Sequence, residues 1–287
     1  MRTGSFKGYE TWITDPGVLW IRFNRPEQKN GTTSVMKREL IETLTEAQMD
    51  NAVRVVVFTG SGDSFSAGDN LKGYAKLDRE SDEGQVRLIP GGHDTGIGTY
   101  SALRTISQQL NTVIREMDKI TIAAINGVAI QTGFSLALCC DFRIAAEEAR
   151  LGSGTLRFAL LPDEGGPYLL VQHMGLAKTM DFLMRKKIVP AREAMELGLV
   201  NEVVPADRLM DAAGELAVEM AEGPQVAMRL LKRSVYNAAE MSWLQALDDI
   251  AGKTAVTDHH PDAAEGKAAF MERRKARFNA WLDEQTG

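Results

Sequence analysis

The chain has 287 residues, 44% hydrophobic and 25% charged, enough to bury a sizeable core as one large domain or as a core with a smaller appendage. Its formal net charge is -6, with Lys and Arg scattered rather than clustered, which argues against nucleic acid or an anionic membrane surface as partner. The opening MRTGSFKGYE lacks the apolar run of a secretory leader, and no stretch approaches the roughly 20 apolar residues of a membrane span, so a cytoplasmic protein is expected.

Taken in chain order, VLWIRF (Val18 to Phe23) and VRVVVFTG (Val53 to Gly60) are β-branched, apolar runs that bracket a helical pattern from Val35 to Met49. Lys72 to Tyr100 is polar and ends in PGGHDTGIGTY, which reads as a loop. A third buried run, Ile120 to Ile130, leads through Gly133 into FSLALCC. Such runs predict parallel strands covered by helices, an α/β architecture. Beyond Gly175 only LVNEVV (Leu199 to Val204) carries a strand signal, and helical patterns cover Asp207 to Glu222, Gln225 to Asn237 and Ala263 to Leu282. The two cysteines, Cys139 and Cys140, are adjacent in an apolar run and are expected to be buried free thiols, with no metal-ligand spacing.

Several motifs offer chemistry. GSGDSFSAGDNLKG (Gly60 to Gly73) follows a strand and is glycine-rich, but Phe65 stands where a dinucleotide pattern needs its third glycine and no Gly-Lys-Ser/Thr follows. What remains is a loop whose glycines permit close backbone approach to a ligand. GFSLA (Gly133 to Ala137) nearly matches a nucleophile elbow, with Asp163 and then His259 and His260 downstream, so hydrolysis by Ser135 is a competing reading. Against it, the final glycine is Ala137 and the strands that would carry a triad acid and histidine are missing. His173 is read as a core or interface histidine. LPDEGGPYLL (Leu161 to Leu170) sets two carboxylates after a proline between apolar flanks, as in an acidic turn or in a catalytic carboxylate at a pocket mouth.

FNRPEQKN, VVVFTGSGDSFSAGDNL, IAAINGVAIQTGFSLALCCDFRIAAEEARLG, LPDEGGPYLL, AMELGLVNEVV and AAFMERRKARF, in this order and spacing, together resemble the enoyl-CoA hydratase/isomerase (crotonase) superfamily from about Trp12 to Phe278. The resemblance implies a crotonase-like spiral of ββα units over residues 1–204 as the acyl-CoA-binding core. It further implies a helical C-terminal region over 205–287 that packs homotrimers or hexamers, and an acyl-CoA thioester as substrate. No separate cofactor is expected, since coenzyme A arrives on the substrate.

In that family two backbone N–H groups grip the thioester oxygen, and the matching positions are Asp69 and Thr132. Such donors stabilise the enolate formed when a proton leaves the carbon beside the thioester. Thr132 stands where relatives usually carry glycine. The family's two hydratase glutamates fall on Ser135 and Thr155, hydroxyls that need an activating partner to act as bases, so double-bond isomerisation is favoured over hydration. Asp163 falls where isomerases of the family carry a catalytic carboxylate, with Glu164 beside it as the second candidate. Asp163 also matches the nucleophilic Asp of chlorobenzoyl-CoA dehalogenases in the family, but Gln108 and Thr155 stand where those enzymes carry a histidine and a tryptophan, so dehalogenation is the weaker reading. For coenzyme A the resemblance points to Lys29, Asn30, Ser66, Ala67 and Asn70, and in the tail to Phe270 and Arg273, which match cross-subunit contacts to the nucleotide. A non-catalytic CoA-binding protein is the third reading, motivated by the two absent glutamates.

Overall fold

The apolar runs become strands of two sheets in the computed structural model, which describes residues 1–69 and 95–283. The larger sheet is built from β1 (Gly4–Ser5), β2 (Tyr9–Thr14), β3 (Val18–Phe23), β4 (Val55–Gly60), β6 (Ile120–Ile125), β8 (Phe142–Ala146) and β11 (Glu202–Val204), side by side in that order. From β3 onward every pairing is parallel. The smaller sheet runs β10 (Ile188–Pro190), β9 (Arg150–Gly152), β7 (Val128–Ile130), β5 (Ser64–Ser66).

Each successive turn of chain gives one strand to the large sheet, one to the small sheet, and then a helix. β4 and β5 precede the helical stretch made of α2 (Gly96–Ala102), a π-helical segment (Leu103–Ser107) and α3 (Gln108–Glu116). β6 and β7 precede α4 (Thr132–Cys139), and β8 and β9 precede α5 (Gly166–Met184). This is the ββα spiral that the resemblance implies. Its cause is visible at Asn126–Gly127, where the run expected as one element from Ile120 to Ile130 reverses between sheets. The Asn126 amide bridges Gly60 N and the carbonyls of Gly62 and Ser64, and a Cβ on Gly127 would lie 2.0 Å from Asp63 O.

The large sheet is buried on both faces, which is why its strands read as unbroken apolar runs. Leu19, Ile21, Phe23, Val56, Phe58, Ala123 and Ile125 face α1 (Ser34–Met49), α3 and α4. Their alternates Val18, Trp20, Val55, Val57, Ile122 and Ala124 face α7 (Leu209–Glu222), whose Ala213, Ala217 and Ala221 present small side chains at i, i+4 spacing. Of the remaining helices, α6 (Ala191–Glu196) follows β10, and α8 (Gln225–Ala238), α9 (Trp243–Asp258) and α10 (Pro261–Glu272) follow α7. The helix expected from Ala263 to Leu282 is divided. Arg273 turns left-handed at φ 52 and ends α10, and Asn279 folds the chain back by donating from its N–H to Asp262 Oδ1 at 2.8 Å. Both cysteines are buried free thiols as expected, and burial pushes the Cys139 thiol up to about 12. No helix of the described residues is long and apolar enough to cross a membrane.

Leu44 is fully buried on α1 in the cluster that also holds Leu40, Phe58 and Ile125. Leu44→Ala is expected to cost about 2–5 kcal/mol of stability, read as a lower urea midpoint at an unchanged slope.

Candidate active site

The smaller sheet brings the candidate residues together. Asp69 lies three residues beyond the end of β5, Thr132 follows β7, and Ser153 to Thr155 follow β9, all beyond the C-terminal ends of adjacent strands. Parallel strands gather loops at that end, where ligands of α/β sheets sit. The segment after β5 and the start of α4 touch because side chains are missing between them: a Cβ on Gly133 would lie 2.3 Å from Ser66 O, and one on Gly68 would lie 2.5 Å from Gln131 Cβ. Gln131 itself has φ 58 and ψ -123, a sparsely populated conformation for a residue with a side chain, and it turns the chain directly into α4. As the first residue of that helix, Thr132 has no acceptor for its N–H within the helix, and the helix dipole points at the same place.

Around this junction is a buried polar cluster. Lys37 Nζ lies 2.7 Å from Asp69 Oδ1, 2.9 Å from Oδ2 and 3.6 Å from Glu164 Oε1, and donates to Ser107 Oγ at 2.8 Å. Asp69 Oδ1 also accepts from Thr32 Oγ1 at 2.7 Å, and Thr132 Oγ1 lies 2.9 Å from it. The Thr132 hydroxyl is 2.5 Å from Glu164 Oε1. Glu164 is 5% exposed. Pro162, Glu164 and Gly166 turn inward and Asp163 and Gly165 outward, so the paired carboxylates of LPDEGG have opposite surroundings.

The charges follow from those surroundings. Burial raises the Glu164 carboxyl to about 7, the Lys37 ammonium opposing and the Asp69 carboxylate adding to the rise. Burial acts the same way on Asp69, but there Lys37 and the hydroxyl donors outweigh it and hold the group below the ordinary carboxylate range. Burial pulls Lys37 down, and the two carboxylates more than restore it. The cluster therefore holds an ammonium, a carboxylate and a carboxyl able to exist in either form near neutral pH.

The sequence matches the profile described as Enoyl-CoA hydratase/isomerase over residues 14–88 and 92–281. The chain belongs to this family. It is 31% identical over 274 residues to the 1,2-epoxyphenylacetyl-CoA isomerase of Escherichia coli K12, covering 92% of this chain and 95% of that protein. It is 32% identical over 263 residues to the crotonyl-CoA hydratase of Syntrophomonas wolfei, covering 91% and 93%. The crystal structure of an enoyl-CoA hydratase from Bacillus anthracis superposes with a TM-score of 0.84 at 30% identity, over 94% of this chain and 98% of that one.

Ser135 and Thr155, the hydroxyls that the resemblance sets at the hydratase glutamate positions, have their own surroundings in this member of the enoyl-CoA hydratase/isomerase family. Ser135 is buried inside α4, and no histidine of the described residues hydrogen-bonds to it. His173 Nε2 instead faces Leu138 O at 3.3 Å and is pulled down to about 4 by burial, while His260 Nδ1 accepts from the Asp262 N–H at 3.2 Å. Among the described residues Ser135 thus has no histidine partner of the kind the hydrolase reading requires. Thr155 is paired with Ser153 Oγ at 3.0 Å, and Gln108 Nε2 donates to Asp163 O at 2.9 Å.

Of the residues expected at coenzyme A, four form one unit. Ala67 N donates to Lys29 O at 2.9 Å, Ser66 Oγ donates to Asn30 O at 2.9 Å, and the buried Asn30 amide bonds to Arg25 N, Ser61 O and Ser64 O. The Lys29 ammonium is exposed and pairs with Asp63 at 2.5 Å. Asn70 and most of the Lys72 to Tyr100 stretch lie outside the described residues. Phe270 is 85% exposed on α10 beside a cavity of about 430 Å³ lined also by Lys267 and Phe278, and Arg273 caps the same helix. Among the described residues neither is hydrogen-bonded or ion-paired to the Lys29 and Ser66 unit. Lys37, Thr32 and Ser107 carry the cluster without being candidates by sequence. The available signal was a lysine in the apolar stripe Met36, Leu40, Leu44 of α1.

Glu164 keeps its proton in the folded chain up to about pH 7, whereas an ordinary glutamate, near 4.5, has lost it. The folded state thus binds the extra proton between those values, so this group's contribution to stability falls as pH rises through the window. Glu164→Gln, neutral throughout, should gain on the parent steadily from about pH 4.5 to 7 and level off above, in urea melts taken across that range. A pH-independent difference would show that Glu164 is already ionised in the folded chain.

Proposed function

We propose that the protein moves a proton on an acyl-CoA thioester through an enolate, with double-bond isomerisation as the reaction, and that Glu164 is the group that carries the proton. The observation behind this is the buried Glu164 carboxyl against the Thr132 hydroxyl, at the N-terminus of α4 and beside Asp69. The family profile supports the thioester, and relatives named as isomerase and as hydratase both use CoA thioesters by their names.

In this reading the ionised Glu164 takes a proton from the carbon beside the thioester carbonyl. The C–H electron pair moves into the new carbon–carbon bond, and the former carbonyl oxygen takes the negative charge. Backbone N–H groups of Asp69 and Thr132 hold that oxygen, and the dipole of α4 adds to the effect. Protonated Glu164 then returns the proton to the γ-carbon as the electrons flow back, which moves the double bond by one position. A single carboxyl suffices for both transfers. Asp69 is committed to Lys37, Thr32 and Thr132, so it is not the second carboxylate that hydration by the two-carboxylate route needs. Asp163 faces outward and is the weaker candidate for the base. Hydration is the second reading, carried by the hydratase relatives.

Coenzyme A would lie along Lys29, Asn30, Ser66 and Ala67, with Phe270 and Arg273 reaching it from a neighbouring subunit. A trimer or hexamer is supported by exposed apolar side chains on α9 and α10, among them Trp243, Leu244, Phe270 and Met271. Light scattering is expected to give three or six chains per particle, and a monomer would remove the basis for the two tail residues.

Glu164→Gln keeps the shape and removes the acceptor, so proton exchange of 3-enoyl-CoA thioesters in deuterated water should fall by about 10²- to 10⁴-fold with little change in binding. Asp163→Asn should have the smaller effect. The reverse ranking would move the role to Asp163, and uptake of labelled oxygen from water into a 3-hydroxyacyl product would favour hydration.

A further inference from the structure

Lys37 sits on the core side of α1 between Met36 and Leu40 with a side chain only 3% exposed. An ammonium there is costly unless every proton finds an acceptor. Its partners come from different elements: Asp69 after β5 and Ser107 at the end of the π-helical segment accept its hydrogen bonds, and Glu164 before α5 lies at ion-pair distance. π-helical turns in an α-helix recur at functional sites, and this one ends on the Lys37 contact.

The Thr132 hydroxyl adds a proton count. It has one proton and lies within hydrogen-bond distance of both carboxyl groups, 2.9 Å from Asp69 Oδ1 and 2.5 Å from Glu164 Oε1. With Glu164 protonated, its O–H donates to Thr132 and Thr132 donates to Asp69. With Glu164 ionised, Thr132 turns its proton to Glu164, and Asp69 keeps Thr32 and Lys37. A proton taken from a substrate is carried on Oε2, and Oε1 then accepts from Thr132 as it does in the ionised state; the form protonated on Oε1, which donates to Thr132, is the resting acid.

We propose that Lys37 is a positioning residue for proton transfer at this site, its ammonium holding Asp69 ionised and, with the Thr132 hydroxyl, fixing the Glu164 carboxyl that moves the proton. This rests on the assignment of Glu164 made above. Among the described residues, the charged and titratable groups around Glu164 are Lys37 on α1, Asp69 after β5, Cys139 on α4 and the adjacent Asp163. Asn111 on α3 reaches only its backbone oxygen, and Cys139 stays a thiol at neutral pH. Lys37 therefore supplies the cation that offsets burial, and Asp69 supplies an opposing anion of smaller weight.

The test is the pH profile of proton exchange on 3-enoyl-CoA thioesters, whose acid limb reports the ionisation of Glu164. Lys37→Met should move the midpoint up by about one unit or more, and Asp69→Asn should move it down. Because Lys37→Met leaves Asp69 buried without its cation and risks unfolding, the double variant Lys37→Met/Asp69→Asn removes both charges together; its midpoint should fall between the parent and Lys37→Met. Thr132→Val should raise the midpoint and Thr132→Ser should restore it. A merely structural role would lower the whole profile without moving its midpoint. Unmoved midpoints in Asp69→Asn and in the double variant, with exchange abolished by Glu164→Gln, overturn this inference alone. Exchange retained by Glu164→Gln overturns the assignment of Glu164 and this inference with it.

Discussion

A primary ammonium removed from water must be surrounded by acceptors or give up its proton, and at Lys37 the acceptors are drawn from separate parts of the chain. Asp69, Ser107 and Glu164 are far apart in sequence, and Thr132 joins two of them through its hydroxyl. One buried charge thereby fixes the relative placement of α1, the segment after β5, the end of the π-helical segment, α4 and the loop before α5. Losing Lys37 or Asp69 leaves the other's charge buried without its counter-ion, which makes this pair the fixed point of the arrangement.

Other buried cations in the chain make an instructive contrast. Lys119 Nζ donates to the carbonyls of Ala47 and Asp50 at the end of α1, and the buried Arg143 Nε donates to Leu199 O at 2.9 Å. Lys232 donates to Lys119 O at 2.9 Å and pairs with Asp141 at 2.7 Å, tying α8 to the N-terminal ends of β6 and β8. These partners are mostly carbonyls, which do not titrate. At Lys37 the partners include two carboxyl groups, one held ionised and one raised by burial, so the device that locks the fold elsewhere here gathers groups that titrate differently.

The scaffold makes this possible by sharing each turn of the spiral between two sheets. The large sheet carries the apolar burial on both faces, and the small sheet, with strands of only three residues, carries the ends from which Asp69, Thr132 and Thr155 project. Gly68 and Gly133 allow two of those ends to meet without intervening side chains. The separation leaves the side chains at those strand ends free to vary while the apolar sheet keeps the family fold.

The sequence by itself determined the α/β class, the core strands, helix α1 and the family, because apolar periodicity and ordered motifs are local and survive without coordinates. It also marked Asp69, Thr132, Asp163 and Glu164 as site candidates through resemblance. It did not resolve the reversal at Asn126–Gly127 or the break at Arg273, where side-chain bonds across the fold override a continuous apolar or helical pattern. Only the tertiary structure decided which carboxylate of LPDEGG is buried, since neighbouring residues in an extended segment face opposite ways and composition is blind to that phase. It alone revealed Lys37, because the acidity of Glu164 depends on a cation 127 positions earlier in the chain, brought within 3.6 Å by folding.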